Sequence, residues 1–207
     1  MSTNESSSFN SQNSPNKHGT EEQRSVVLSY LHELVFGILG ILLIFMLVFR
    51  VVIVSGPSMN NTLYNGDCLV LLSNVFYHEP QYGDIIVASK NSFKDGEPII
   101  KRVIATEGQK VNIDFNSGVV YVNDIALKET YVNTPTNLYE GVNFPLVVEQ
   151  GHVFVMGDNR NESKDSRSPE IGLIDRREIL GKVLFLALPA KNTDSEQRDF
   201  ERIGVLW

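Results

Sequence analysis

The pattern of apolar and polar positions begins with one long apolar run near the N-terminus. Residues from Leu34 to Phe49 are all uncharged, and residues 51–54 continue the run after the single charge at Arg50. A helix built from this run has apolar side chains on every face, whereas a surface helix has a polar stripe. The run is long enough to cross a bilayer. We therefore predict a transmembrane anchor over residues 26–50.

The residues that precede this run are polar. Residues 1–25 are rich in Ser and Asn, so they cannot bury enough apolar surface to offset their ordering entropy, and we expect a disordered tail. A cleavable secretory signal is the alternative for the apolar run. More than 30 residues precede the run, and no small-x-small exit follows it, so a retained anchor is favoured. A buried core helix is the other alternative.

The charges around the anchor indicate its orientation. Lys17 and Arg24 precede the run, and after Arg50 no further Lys or Arg occurs until Lys90. Basic residues are enriched on the cytoplasmic side of a span. We therefore expect a single-pass protein of the cell membrane, with a cytoplasmic N-terminus and everything after the anchor on the outer side.

Beyond the anchor, the apolar runs are short, rich in β-branched residues and bounded by turn residues, which predicts strands. No stretch has a helical period over three turns, so this part of the chain is mainly β. Asn116, Ser117 and Gly118 form the predicted turn of a hairpin, and residues 130–145 look like a long irregular excursion. The predicted strands are CLVLLS, DIIVAS, PIIKRVIAT, KVNIDF, GVVYVN, HVFVMG and KVLFLAL.

Composition narrows the function classes. After the tail and the anchor, about 150 of the 207 residues remain, enough for one folded domain. The net charge is −7 without a basic cluster, so nucleic acid is not an expected partner. Cys68 is the only cysteine, which excludes an internal disulfide and a multi-cysteine metal site.

Four short motifs occur in a definite order: GPSMNNTL at 56–63, GDIIVAS at 83–89, IIKRVIATEG at 99–108 and GDNRNESKDSRS at 157–168. Each alone is weak support for a function. Together they resemble the type I signal peptidases, the Ser/Lys family of membrane-bound leader peptidases, and in particular its compact Gram-positive-type members. The first motif matches the family signature S-M-x-P-T-L, except that Asn61 stands where the family usually has proline.

The chemistry of a serine–lysine pair can be argued without the resemblance. A serine hydroxyl is a poor nucleophile unless a neighbouring base takes its proton, and lysine is a base only when neutral. Lowering a lysine pKa from about 10.4 to about 8 requires about 3 kcal/mol of disfavour for the ammonium form, which burial can supply. Lys101 lies in an apolar strand that can bury it, with the strand at residues 51–54 as a cover. Arg102 would point to the opposite face as a solvated or structural charge.

The resemblance implies a fold and an activity. The fold would be an extracytoplasmic domain of antiparallel β-sheets over 51–190, with a core at 51–105 and 150–190, a smaller β insertion at 106–149, and a C-terminal tail at 191–207. The activity would be a serine endopeptidase that cleaves signal peptides from exported precursors after small residues, typically Ala-x-Ala, with no cofactor or metal. Its partners would be those signal peptides and membrane lipid, and the sequence does not give its oligomeric state.

The resemblance also implies roles for individual residues. Ser58 would be the nucleophile and Lys101 the general base, with the Ser58 N–H in the oxyanion hole and Gly56 where many relatives carry a second, hydroxyl donor. Ser163 would orient the lysine amine, Asp165 and Arg167 would form a supporting ion pair, and Asp158 and Arg160 would shape their loop. The substrate-binding positions would be Val54, Met59, Leu63, Leu69, Val87 and Ile100, of which Met59 could instead contact lipid.

Other function classes remain as alternatives. His18, His32, His78 and His152 have no neighbouring Ser or Asp pattern typical of a triad, and no His-x3-His or paired carboxylate motif indicates a zinc protease. The chief alternative is a non-catalytic membrane-anchored β-domain of the same family or an unrelated surface binding module, neither of which would need both Ser58 and Lys101. A self-cleaving repressor-type Ser/Lys protease would lack the membrane span.

Overall fold

The computed structural model describes residues 17–192 and 196–206. Helix α1 spans Lys17–Val48, and its part from Val26 to Val48 is long and apolar enough to cross a membrane and is not buried inside the protein. Residues 17–25, predicted as part of a disordered tail, are helical, because α1 continues upstream of the apolar run. The tail predicted for residues 1–16 lies outside the described residues. Phe49 and Arg50, predicted in the anchor, belong to a strand.

The chain after the helix is a β protein, as predicted. Its strands form two antiparallel sheets, and all seven runs that the sequence marked as strands are strands in the structure. The strands are β1 (Phe49–Ile53), β2 (Cys68–Ser73), β3 (Ile85–Ser89), β4 (Pro98–Thr106), β5 (Lys110–Asp114), β6 (Val119–Val122), β7 (Ile125–Ala126), β8 (Leu146–Val147), β9 (His152–Met156), β10 (Ile174–Asp175), β11 (Ile179–Leu188) and β12 (Gly204–Val205).

The larger sheet has the order β1-β2-β11-β3-β4-β9-β10, with β12 paired to β11. Its central strands are buried on both faces. In β3, Ile85 and Val87 join one apolar cluster while Ile86 and Ala88 join another, because successive side chains point to opposite sides of a strand. This explains why the central strands are continuous apolar runs in the sequence, whereas β2 alternates between fully and partly buried positions.

The open strand edges of this sheet within the described chain include those of β1 and of the first part of β4. β1 is the edge strand at one end of the order, since it pairs only with β2. β4 pairs with β9 only from Arg102 onwards, so no described strand pairs with residues 98–101 on the side away from β3. An extended peptide could therefore form main-chain hydrogen bonds with either edge.

The smaller sheet, in the order β7-β6-β5-β8, draws all its strands from residues 110–147. Its β5–β6 hairpin has the predicted turn. Gly118 in that turn has φ +73°, and a Cβ there would lie 2.3 Å from Pro135 Cβ, so only glycine fits. Residues 130–145 form the predicted irregular excursion, which docks onto the hairpin through the Thr136 N–H and the Gly118 carbonyl.

Candidate active site

The structure brings together the serine and the lysine that the sequence predicts as a pair. Lys101 Nζ donates a hydrogen bond to Ser58 Oγ at 2.8 Å and another to the Ile100 carbonyl at 3.0 Å. Ser58 lies in the loop between β1 and β2, and Lys101 lies in β4. Because β1 and β4 are not neighbours in the sheet, the contact depends on the path of this loop, which we call the Ser58 loop (residues 54–67).

The Ser58 loop is closed at its base by main-chain hydrogen bonds. The Val54 N–H donates to the Asp67 carbonyl and the Gly66 N–H donates to the Val54 carbonyl, both at 2.8 Å. Gly56, two residues before Ser58, adopts φ +88°, a conformation that favours glycine. The Ser58 carbonyl accepts from the Asn159 N–H at 3.1 Å, which ties this loop to the loop at 157–168. Asn61, where the family usually has proline, follows a cis peptide bond.

The main-chain N–H groups of Gly56 and Ser58 differ in whether they are already hydrogen-bonded. The Gly56 N–H donates to Asn65 Oδ1 at 3.1 Å and is therefore not free to bind a substrate oxygen. The Ser58 N–H has no acceptor in the described part of the chain. Of the two positions, Ser58 is thus the one whose N–H is available to a developing oxyanion.

The environment of Lys101 favours its neutral form. Its side chain is buried, with the residue 5% exposed, and burial lowers its pKa to about 8. The negative charges of Asp165, Asp158 and Glu140 oppose this effect, but among the described residues none of them lies within ion-pairing distance of the amine. Lys101 is therefore a lysine that can act as a base close to neutral pH.

Arg102 has the opposite environment on the other side of the same strand. It donates from Nε to Asp158 Oδ1 at 2.8 Å, from Nη2 to Asp158 Oδ2 at 2.7 Å and from Nη1 to the Gly83 carbonyl at 2.8 Å. Its guanidinium lies 4.1 Å from the centre of the Tyr131 ring. Thr62 of the Ser58 loop donates to the same Asp158 carboxylate. Of the two alternatives for Arg102, the structural charge agrees with these contacts. The solvated charge is wrong, because the residue is only 1% exposed.

The loop at 157–168 contains the predicted ion pair and the predicted loop-shaping residues. Arg167 contacts Asp165 through Nε and Nη2, both at 2.8 Å, and Asp165 Oδ2 also accepts from the Gly157 N–H at 3.0 Å. Arg160 donates to the Gly157 carbonyl at 3.1 Å and to Glu129 Oε2 at 2.8 Å. Arg160, Asp165 and Arg167 are buried, and the contact between Arg160 and the half-buried Glu129 ties the loop to the stretch at 106–149.

The role expected for Ser163 is not seen in the geometry. Its Oγ is buried without a hydrogen-bond partner, and Lys101 Nζ donates to Ser58 and Ile100 instead. The Ser163 side chain packs against the Cα of Gly157, where a Cβ would lie 2.3 Å from Ser163 Oγ and 2.4 Å from the Ser58 carbonyl oxygen. The Ser163 hydroxyl is therefore next to the backbone of Ser58, but it makes no hydrogen bond to the Lys101 amine in this structure.

A cavity of about 440 Å³ opens beside the serine and the lysine. It lies between the two open edges, and it is lined by residues 52–59 and 97–101 together with Phe93 and Lys164. Of the predicted substrate-binding residues, Val54, Met59 and Ile100 line it. The other three, Leu63, Leu69 and Val87, lie in the same apolar cluster without lining the cavity. The suggested lipid contact of Met59 is wrong, because the residue is 1% exposed and belongs to the core.

Sequence reasoning missed several partners in the site. It did not pair Arg102 with Asp158 or Arg160 with Glu129, and it did not single out Glu140, whose buried carboxylate lies 3.2 Å from Arg167 Nη2 without hydrogen-bond geometry. Burial raises the Glu140 pKa to about 7. The only sequence signal for these pairs is charge within apolar or turn segments, which does not specify a distant partner.

Comparison with known proteins agrees with this geometry. The sequence model of the family described as signal peptidase, peptidase S26, matches residues 27–188. The chain belongs to this family. Membership makes it a serine peptidase and supports the cleavage of signal peptides from exported precursors as its reaction.

Individual relatives carry the same name. A probable signal peptidase I-1 from Synechocystis is 40% identical over 145 residues, which is 66% of this chain and 70% of the relative. A signal peptidase I from Bacillus licheniformis is 29% identical over 182 residues, 82% of this chain and 95% of the relative. The crystal structure of a signal peptidase I from Enterococcus faecalis is 30% identical, with a TM-score of 0.42, covering 50% of this chain and 96% of that one. The bacterial relatives and the apolar helix suggest a membrane-anchored signal peptidase.

Proposed function

We propose that this signal peptidase is a membrane-bound serine endopeptidase that uses Ser58 as nucleophile and Lys101 as general base, and that it cleaves precursors after Ala-x-Ala. The observation that carries the proposal is the 2.8 Å hydrogen bond between Lys101 Nζ and Ser58 Oγ, in surroundings that lower the lysine pKa to about 8. Neither His78 nor His152 has a hydrogen bond to Ser58.

The reaction follows from this pair. The neutral amine of Lys101 takes the proton of Ser58 Oγ as the oxygen attacks the scissile carbonyl carbon. The ammonium then protonates the departing amine, which leaves an ester between Ser58 and the signal peptide. The Lys101 amine, neutral again, then takes a proton from a water molecule as the water oxygen attacks the ester. The ester bond to Ser58 breaks, the signal peptide leaves with a new carboxyl group, and Lys101 returns the proton to Ser58 Oγ. The Ser58 N–H faces the negative oxygen that develops in both steps.

The open edges of β1 and β4 support binding of an extended substrate. A strand placed between β1 and residues 98–101 would complete main-chain hydrogen bonds that the open side of each edge does not make with a described strand. Val54, Met59 and Ile100 form apolar walls near Ser58. Apolar walls of this kind suit a small side chain such as alanine in the substrate.

The topology is also a proposal. The helix at Val26–Val48 would be a single span, with the N-terminus cytoplasmic and the peptidase domain on the outer side of the cell membrane. Protease added to intact cells should then digest residues after the span. Digestion of these residues only after the cytoplasmic side is opened would reverse the orientation.

The pair is tested by processing of a secretory precursor with an Ala-x-Ala site by the full chain in detergent. Ser58→Ala and Lys101→Ala should each reduce the cleavage rate by about a thousandfold or more. Ser117→Ala and Lys110→Ala, on the exposed hairpin of the smaller sheet, are matched controls that should cleave at the wild-type rate. If either active-site variant cleaves as fast as its control, the mechanism is wrong. A precursor with Ala-x-Leu should not be cleaved.

A further inference from the structure

The last described segment of the chain, residues 196–206, lies beyond the stretch that the family model matches. It nevertheless packs on the peptidase domain. Its strand β12 pairs with β11, with Val205 opposite Phe185. The Leu206 N–H donates to the Leu184 carbonyl at 3.3 Å, and its side chain packs against the apolar cluster that contains Val54 and Met59. The segment is thus anchored beside the Ser58 loop.

Arg202 extends from this segment to the C-terminal end of the Ser58 loop, at Asp67. It donates from Nη2 to Asp67 Oδ2 at 2.6 Å and from Nη1 to Asp67 Oδ1 at 3.1 Å, so that both carboxylate oxygens are bound. Nη2 is also 3.4 Å from the Thr62 carbonyl oxygen. The guanidinium lies 4.4 Å from the centre of the Tyr64 ring. One arginine therefore contacts three residues of the loop that carries the nucleophile.

Asp67 is the residue through which such a contact can act on the loop. It is 0% exposed, and its carboxylate also accepts from the Tyr64 N–H at 2.8 Å and from the Ala190 N–H at 2.7 Å. Its carbonyl closes the base of the loop by accepting from Val54. Without the guanidinium, a buried carboxylate would keep only neutral donors, and such a charge is strongly disfavoured. The base of the loop would have to rearrange to solvate it.

We propose that Arg202 is a positioning residue of the peptidase, which holds the Ser58 loop through Asp67 so that Ser58 Oγ lies against Lys101 Nζ. This inference rests on the proposed Ser58/Lys101 mechanism. A displacement of about 1 Å in a reacting group can reduce a rate by about a hundredfold. The cavity beside the dyad is lined from β1, β4 and the N-terminal part of the loop, and Arg202 does not line it. Loss of Arg202 should therefore lower kcat and leave KM unchanged.

The test compares Arg202→Met with Arg202→Lys and Arg198→Met, all as full chains in detergent, with an Ala-x-Ala precursor peptide. Arg198 is the matched control, because it lies on the same segment but donates to the Pro189 carbonyl and not to the Ser58 loop. We expect Arg202→Met to lower kcat by about tenfold or more with KM within about twofold of wild type. Arg202→Lys should recover part of kcat, since it keeps the positive charge. Arg198→Met should stay within about threefold of wild type.

Several results would overturn the assignment. A wild-type kcat in Arg202→Met, or a raised KM with unchanged kcat, would show that Arg202 does not position the nucleophile. An equal loss of kcat in Arg198→Met would assign the effect to the segment as a whole. Loss of the cooperative thermal transition in both Arg202 variants would make the residue a requirement for folding only. Ser58→Ala is run in parallel: if it stays active, the proposed mechanism fails, whereas an inactive Ser58→Ala beside a fully active Arg202→Met rejects only the role of Arg202.

Discussion

Lys101 and Arg102 are adjacent basic residues on β4, both buried, and their surroundings are opposite. Arg102 donates to the Asp158 carboxylate from Nε and Nη2 and to the Gly83 carbonyl from Nη1. Lys101 has a hydroxyl and a carbonyl, and no carboxylate at ion-pairing distance among the described residues. Burial disfavours a charge on either side of the strand, but only Arg102 has a partner that compensates.

With these two surroundings, one strand can supply both stability and chemistry. A guanidinium remains charged in proteins, so its burial requires a carboxylate, and the pair then links β4 to the loop at 157–168. An ammonium can lose its proton instead, and it becomes a base when no carboxylate is near. We therefore propose that the side of β4 that faces the cavity is the reactive one and that the side that faces Asp158 is the structural one.

Removing Arg102 should have the largest effect on stability. Arg102→Met leaves the Asp158 carboxylate buried with the Thr62 hydroxyl as its remaining side-chain partner. We expect the free energy of unfolding to fall by about 3–5 kcal/mol, measured by denaturant titration in detergent. Arg177→Met is the control, since Arg177 also contacts an aspartate by two nitrogens but its side chain is 90% exposed. That variant should leave the free energy of unfolding close to the wild-type value, because an exposed ion pair contributes little. Equal losses of stability in the two variants would mean that burial does not make the Arg102–Asp158 pair more important than an exposed pair.

Removing Lys101 should change stability in the opposite direction. The native pKa of about 8 lies below the usual value of 10.5, so the unfolded state binds more protons between these two values, and wild-type stability should rise with pH across that range. Lys101→Met lacks this rise and should be about 2–3 kcal/mol more stable than wild type at pH 7, although inactive. Lys110→Met, at an exposed pair with Asp124, should show no gain. A variant less stable than wild type at pH 7 would refute this expectation.

The activity of the wild-type protein should report the same pKa. Only the neutral amine of Lys101 can accept the Ser58 proton, so kcat/KM should rise about tenfold per pH unit below pH 8 and level off above it. The rate at pH 7 should thus be about one tenth of the plateau. The measurement is a pH profile of precursor cleavage at substrate concentrations below KM. A flat profile between pH 6 and pH 8 would mean that Lys101 is not the base.

Much of this arrangement was predictable from the sequence, and the reasons differ from one residue to the next. The strands and the hairpin at 116–118 follow from local patterns, and the serine–lysine pair follows from the resemblance of the ordered motifs to the signal peptidases. The partners of Arg102 and Arg202 do not, because Asp158 and Asp67 are distant in sequence and any of the chain's 25 acidic residues could have served. Residues 191–207 gave no strand signal, since β12 has only two residues and its pairing depends on β11.

Glu140 extends the contrast to carboxylates and gives the smallest predicted effect. Asp158 accepts hydrogen bonds from Arg102 and Thr62. The Glu140 side chain is 4% exposed, and its carboxylate accepts no hydrogen bond. It lies 3.2 Å from Arg167, whose guanidinium is already hydrogen-bonded to Asp165. Burial, followed by the charge of Asp165, raises the Glu140 pKa to about 7, against the opposing charges of Arg167, Lys164 and Lys101. The native state therefore keeps a proton that the unfolded state has lost, and this residue lowers stability as pH rises from about 4.5 to about 7.

Glu140→Gln should remove that fall and leave the protein about 1–2 kcal/mol more stable at pH 8, with little change at pH 4. The substitution should also act on the reactive side of β4. Glu140 is one of the charges that favour the ammonium form of Lys101, so its loss should move the midpoint of the activity profile a few tenths of a pH unit lower. Denaturant titrations at the two pH values and the pH profile of cleavage measure both effects. A midpoint that moves upward would mean that Glu140 does not act on Lys101 by its charge, and an unchanged stability difference between pH 4 and pH 8 would mean that its carboxylate is solvated in the folded protein.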